Sequence, residues 1–400
     1  MSAPARSQAA PIGTTAPTAR ALAPDLARGV MLLAIAFAHA PLFVIDVERG
    51  APAANAAFEV FHLLFIGNHA RPMFAFLFGY GLVQMLNQRT RRGEEWPSVR
   101  KMLRRRGWWL IAFGFAHVAL LMHLDILAAY GVSALLLVGL LRAKDSTLLW
   151  AVGLTLAPST LVSALGLLGP VQDGVSTFTA GSLAAGTRGA GEMFVGRIAS
   201  WPVVLIVEVI VLTPAVIFGM WAARRRILEE PERNRGFLSR MALVTLVVSM
   251  LGGLPVALIQ IDAWSAPVGA MVAAAVAQPF TGYAGGIGMA CLVGLAAIRL
   301  GRRQGPLTTA VAALGQRSMT MYLAQSVAFI VAFYPWALDL QDDLGLAGAG
   351  VVAVVTWLLS VLAADLMRRA GYRGPAENLL RRLVYRRSNA PARRGAAPAG

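Results

Sequence analysis

Apolar segments of membrane-spanning length recur along nearly the whole chain, and few folds can absorb them. A helix needs about 20 mostly apolar residues to cross a bilayer. Such segments fall near residues 28–46, 70–87, 104–122, 125–142, 147–169, 201–222, 240–260, 284–299, 318–338 and 348–367, which predicts about ten helices. Backbone inside hydrocarbon has to satisfy its own hydrogen bonds, so the expected class is an all-α, polytopic helical bundle. A hydrophobic content of 57% and a mean hydropathy of +0.62 exclude an ordinary soluble domain. Two further stretches, 55–69 and 265–280, are apolar but short or interrupted by polar residues, and read as re-entrant or interfacial.

The formal charge of +16 invites a nucleic-acid reading, but the basic residues flank the apolar segments rather than gather on a soluble face. Apart from Arg49, Arg71, Arg188 and Arg197, all 36 Lys and Arg fall in the alternate segments 1–28, 88–106, 142–147, 222–240, 299–317 and 368–400. The positive-inside rule then puts both termini in the cytoplasm, with an even number of spans in a bacterial plasma (inner) membrane. The lipid bilayer is the expected partner, and nucleic acid is not. Cys291 stands alone, so no internal disulfide or thiolate metal cluster is possible. Residues 1–19 lack the apolar core of a signal peptide and read as a disordered tail. Residues 20–370 form the transmembrane unit, and residues 371–400 a basic amphipathic helix and tail on the cytoplasmic leaflet.

Ionisable residues inside apolar spans are the functional candidates, because hydrocarbon makes them costly. The first helix carries Asp25, Arg28 and His39. Asp25 and Arg28 are helical neighbours. His39 lies eleven residues beyond Arg28, about three turns on, so it shares their face roughly 16 Å deeper. The bland alternative is that Arg28 snorkels to headgroups and His39 bonds a neighbouring helix. Asn68, His69, Arg71 and Pro72 divide Phe58–Asn87, with His69 and Arg71 near the outer surface. His62 and His69 are seven apart, but no third metal ligand is evident. His117, Asp125 and Tyr130 surround a tight outer turn that includes His123, and Asp125 suits the cap of the following helix. Glu208 has no charged neighbour within one turn, so its partner must come from another helix unless it is protonated. Ser318, Tyr322 and Gln325 form a polar stripe, for which interhelical hydrogen bonding is the plain reading. The outer segment Gly169–Ser200, rich in Gly, Ser and Thr, reads as a flexible loop or lid.

Several motifs occur in one order: Asp25-x-x-Arg28-Gly29; Phe76-Leu-Phe-Gly79-Tyr-Gly81; His117 with Asp125-Ile-Leu and Tyr130; Gly315-x-x-Ser318-Met-Thr-Met-Tyr322-Leu-x-Gln325-Ser326; and Gly374-Pro375-x-Glu377. In these the chain resembles the YeiB-like bacterial inner-membrane proteins, largely known as a domain of unknown function. The first helix also resembles that of the broader transmembrane acyltransferase superfamily, in which an Asp-x-x-Arg-Gly helix ends in a functional His. The YeiB-like proteins commonly have Asn where this chain has His39, so the chain departs toward the acyltransferase pattern.

That resemblance implies transfer of an acyl group, most simply acetyl, from cytoplasmic acyl-CoA to an acceptor at the outer face. Acyl-CoA is then a co-substrate, and no tightly bound cofactor or metal is expected. Asp25, Arg28 and His39 are the expected catalytic residues. Arg71, His69, His117, Asp125, Tyr130, Tyr322 and Gln325 are the expected substrate-binding residues. The alternative is a transporter or exporter of a small polar solute, with Glu208, His39 and His117 as a proton relay or solute site. Alkaline phosphatase is active only outside the cytoplasm and tests the orientation: fusion after Arg92 is expected to be silent and fusion after Gly345 active. The reverse pattern inverts the topology.

Overall fold

The computed structural model describes residues 21–122, 124–180 and 189–385, and among these helices are the only regular secondary structure. The tails, residues 181–188 of the presumed lid, and His123 lie outside the described residues. The helices are α1 Leu22–His39, α2 Pro52–Phe65, α3 Ala70–Thr90, α4 Trp96–Leu120, α5 Leu127–Leu137, α6 Asp145–Asp173 and α7 Thr177–Ala180. They continue with α8 Ala190–Arg224, α9 Arg235–Gln260, α10 Val268–Arg302, α11 Pro306–Gln316, α12 Ser318–Phe333, α13 Leu346–Arg369 and α14 Pro375–Tyr385.

Among the described residues six segments are long and apolar enough to cross a membrane: Leu22–Phe43, Asp145–Asp173, Gly191–Arg224, Arg235–Gln260, Val268–Arg302 and Leu346–Arg369. The chain is a multi-pass membrane protein. Segments Leu127–Arg142 and Ser318–Phe333 are apolar but shorter. Helix α4 is long, yet its first half carries Arg100, Lys101, Arg104, Arg105 and Arg106, which dilute its apolar character. The expectation of about ten spans thus rests on helices of unequal apolar quality.

Two sequence expectations are corrected. The stretch 265–280 is no separate re-entrant piece, because α10 runs unbroken for 35 residues through Pro279. Polar side chains along α10 bond residues outside it. Gln278 bonds Asn68, and the Tyr283 hydroxyl donates to the Val211 carbonyl at 2.7 Å and bonds Ser159. The outer segment Gly169–Ser200 is also shorter than expected as a loop, since α6 extends to Asp173 and α8 begins at Ala190.

Helix α1 sits at the centre, touching α3, α10, α11, α12 and α13. Its most apolar window is 61% buried, against 22% for the peripheral α6. Water supplies no hydrophobic drive between helices in lipid, so close packing over small residues has to hold them. Gly29 faces the Val311 carbonyl and Gly315 faces the Asp25 carbonyl, which joins α1 to α11 backbone to backbone. Gly79 against Val216, and Gly219 against Phe76, join α3 to α8 in the same way. A Cβ at any of these four glycines would collide with main chain.

The ends are fastened by polar side chains from distant segments. Arg224 donates to the Leu140, Leu141 and Ala143 carbonyls and to Asp145, tying the α8 end to the α5–α6 turn. Glu377 accepts from the Met319 and Thr320 amides at 2.9 and 3.0 Å, capping α12 from α14. The basic C-terminal helix therefore does more than rest on a leaflet. Ala376, Leu380 and Val384 are buried where α14 meets α4 and α12, while Leu379 remains exposed. Gly219→Val is expected to destabilise the protein by about 2 kcal/mol, the usual cost of overpacking. Gly166→Val, where a Cβ meets nothing, should leave the melting temperature unchanged; equal behaviour of the two variants would refute backbone contact between α3 and α8.

Candidate functional site

Helix α1 carries candidate chemistry at both ends. Near its start Asp25 is 2% exposed, lies 3.4 Å from Arg28 Nη1 and accepts from Gln316 Nε2 at 3.0 Å. The Gly29 carbonyl accepts from Trp357 Nε1 at 2.9 Å. The Asp-x-x-Arg-Gly motif thus has a packing use beside any chemical one. The Arg28 guanidinium passes over Gly81, where a Cβ would stand 3.3 Å from Nη2. It also lies within electrostatic reach of Arg106 on α4 and Tyr130 on α5. The two guanidiniums repel each other, and among the described residues Arg106 Nε is buried with no hydrogen-bond partner.

At the other end of α1, His39 closes the helix before a short 3-10 turn. Its ring centroid is 6.4 Å from that of Tyr322, and the His117 ring meets Tyr322 at 5.1 Å. His117 Nδ1 is 3.0 Å from Asp125 Oδ1, an ion-pair approach off the hydrogen-bond axis. His117 Nε2 is 2.8 Å from Ser326 Oγ. Asp125 Oδ2 accepts the Ala128 amide at 2.7 Å, so the expected capping role of Asp125 is present together with its contact to histidine. Tyr130 stacks on Phe78 at 4.3 Å. Among the described residues the Tyr130 hydroxyl and both amide atoms of Gln325 are buried without a hydrogen-bond partner.

Glu208 finds its partner on another helix, 2.8 Å from Arg71 Nη1. Glu208 also lies within electrostatic reach of Tyr130 and Tyr322. The structure brings His39, His117, Asp125 and Tyr322 together. It sets His69 apart. Both its ring nitrogens are engaged at 2.5 Å, Nδ1 by the Gly67 carbonyl and Nε2 by the Ser249 hydroxyl, leaving no free donor for a substrate. His62 packs between Phe58 and Phe178, and among the described residues no group of three or more ligands could hold a metal.

The residue that the sequence reading missed is Ser326. It sits one turn beyond Tyr322, and the i, i+4 continuation of that stripe was the available signal.

Residues 222–387 match a family profile described as "Protein of unknown function (DUF418)". The chain is also 24% identical over 364 residues to the "Uncharacterized protein YxaH" of Bacillus subtilis (strain 168), covering 85% of this chain and 84% of that protein. The profile match includes Tyr322, Gln325, Ser326 and Glu377, while Asp25, His39, His117 and Asp125 precede it. These likenesses go with a multi-pass protein of the bacterial inner membrane and name no activity.

Arg71→Met leaves Glu208 without its cation and is expected to lower the melting temperature. Arg71→Met combined with Glu208→Met should recover most of the loss, since replacing both partners removes the stranded charge. A double variant no better than the single one would show that the pair does not act as a unit.

Proposed function

We propose that the protein is a membrane acyltransferase, taking an acyl group from acyl-CoA at the arginine-rich end and delivering it to a hydroxyl or amine at the opposite end. The observation that carries this reading is that the His39 and His117 rings both approach one tyrosine ring, Tyr322, while Arg28 stands at the other end of the helix that bears His39. The span of roughly 16 Å between Arg28 and His39 suits a donor whose phosphates and thioester lie far apart.

In this reading Arg28 and Arg106 hold the CoA phosphates, and Asp25 orients Arg28. His39 takes the proton from the acceptor as it attacks the acyl carbon. Arg71, Tyr130, Tyr322 and Gln325 position the acceptor. Gln325 supports this with two buried amide atoms that have no partner among the described residues, and such atoms are costly unless a ligand meets them. Transport of a small polar solute is the competing reading and draws on Glu208 as a proton site. The bond from Arg71 gives that acid a structural use and counts against it.

Melting curves of the detergent-purified protein with acetyl-CoA, CoA and ATP test the reading. Both CoA compounds are expected to raise the melting temperature, by the equivalent of about 2.7 kcal/mol at a hundredfold excess over Kd. ATP should not, and Arg28→Ala should abolish the response while His39→Ala keeps it and loses transfer. No response to either CoA compound would sink acyl transfer from CoA and turn attention to transport.

A further inference from the structure

Three residues from different elements bring polar atoms close together inside the bundle: Asp125 before α5, His117 on α4 and, 209 residues beyond His117, Ser326 on α12. Asp125 Oδ1 is 3.0 Å from His117 Nδ1, and His117 Nε2 is 2.8 Å from Ser326 Oγ. The Asp125 and His117 side chains are 1% and 0% exposed, and Ser326 is 1% exposed. We propose that Ser326 is a nucleophile that carries the acyl group covalently between donor and acceptor, activated by His117 and Asp125. The proposal rests on the acyl-transfer reading and deepens it by naming an acyl-enzyme intermediate.

Packing alone does not require this arrangement. A helical serine is satisfied by the carbonyl one turn back, and Ser326 Oγ has that option at the Tyr322 carbonyl, 3.4 Å away. Sealing a carboxylate beside an imidazole in hydrocarbon is costly. In the proposed step Nδ1 carries the proton toward the Asp125 carboxylate, 3.0 Å away though off the hydrogen-bond axis, and Nε2 turns its lone pair to the serine hydroxyl. The carboxylate, held by the Ala128 amide, stabilises the imidazolium that forms when the hydroxyl gives up its proton. The protein contains its own contrast in the buried pair His69–Ser249, whose second ring nitrogen faces the uncharged Gly67 carbonyl. A carbonyl orients the ring but gives the imidazolium little charge stabilisation, so Ser249 lacks the activation that Ser326 has.

The step balances as two displacements. Ser326 Oγ attacks the acyl carbon of a thioester. The Oγ–C bond forms, the C–S bond breaks, and the hydroxyl proton passes through His117 Nε2 to the departing sulfur. An acceptor hydroxyl then attacks the acyl carbon and the Oγ–C bond breaks. The acceptor's proton returns through histidine to Ser326 Oγ. His39, whose ring also approaches Tyr322, is placed to assist this second step.

The full-length protein in nanodiscs is treated with p-nitrophenyl acetate and, separately, with a small alkyl fluorophosphonate, and the adduct is mapped by peptide mass spectrometry. Neither reagent contains CoA, so the result is independent of the donor reading. The expected result is a stoichiometric burst of nitrophenolate with acetyl or phosphonyl on Ser326. It should be absent in Ser326→Ala, retained in Ser249→Ala, and slowed about 100-fold or more in His117→Ala. Asp125 also caps α5, so Asp125→Asn is scored only with an unchanged melting temperature and should slow the burst less. Ser326→Cys keeps a nucleophile in place and should restore acylation, which a packing role would not predict. No adduct from either reagent, or adducts elsewhere that persist in Ser326→Ala, would overturn the proposal. Acylation by the ester but not by acetyl-CoA would uphold Ser326 and remove CoA as the donor.

Discussion

Hydrocarbon offers no hydrogen bonds, so each polar group carried into the bundle needs a partner from another part of the protein. Much of the architecture follows from meeting that demand. Glu208 draws Arg71, Gln278 draws Asn68, His117 draws Asp125 and Ser326, and Tyr283 draws Ser159 and the Val211 carbonyl. These pairs link α3 to α8, α10 to the segment before α3, α4 to α12, and α10 to α6 and α8. Dispersion over small residues fastens the helices between them, and the backbone contacts at Gly29, Gly315, Gly79 and Gly219 show how close that packing becomes.

The apolar spans were legible because hydropathy reports directly on the solvent that a segment can tolerate. Helix ends were not, because their caps come from elsewhere in the chain. Glu377 closes the start of α12 across 57 residues, and Arg224 closes the carbonyls of the α5–α6 turn across more than 80. The same difficulty explains α10. The stretch 265–280 read as short or interrupted when judged alone, whereas Gln278 finds a partner in Asn68 and the helix runs on through Pro279. The charge pattern held more information than topology. Arg71 and Arg197 depart from the basic-side rule, and each has a use, Arg71 with Glu208 and Arg197 with the Tyr334 hydroxyl at 2.7 Å.

The candidate site was legible in its residues but not in its wiring. His117, Asp125 and Tyr322 stand out as polar groups in apolar surroundings, and each turned out to have neighbours among the others. Ser326 did not stand out, since serine is common in membrane helices and is easily satisfied by its own backbone. Only the position of the His117 ring distinguishes it from such a serine. His69 shows the converse. It looked as suggestive as His117 in the sequence, and its two ring nitrogens are closed by a carbonyl and a hydroxyl.

The packing of α1 bears on which class of function the fold can host. Alternating access requires one helix group to rock against another around a fixed site. Helix α1 is locked to α11 where two glycines set backbone against backbone, and the Gly29 carbonyl is held by Trp357 of α13. Sliding α1 past α11 by even part of a turn would drive side chains such as Val311 into main chain. The helix joining Arg28 to His39 is therefore a rigid rod clamped on two sides, better suited to keeping two ends at a fixed separation than to moving a solute between them. A fixed separation is what a donor of defined length needs when its anionic end is held at one mouth and its reactive end must meet the same imidazoles at every turnover.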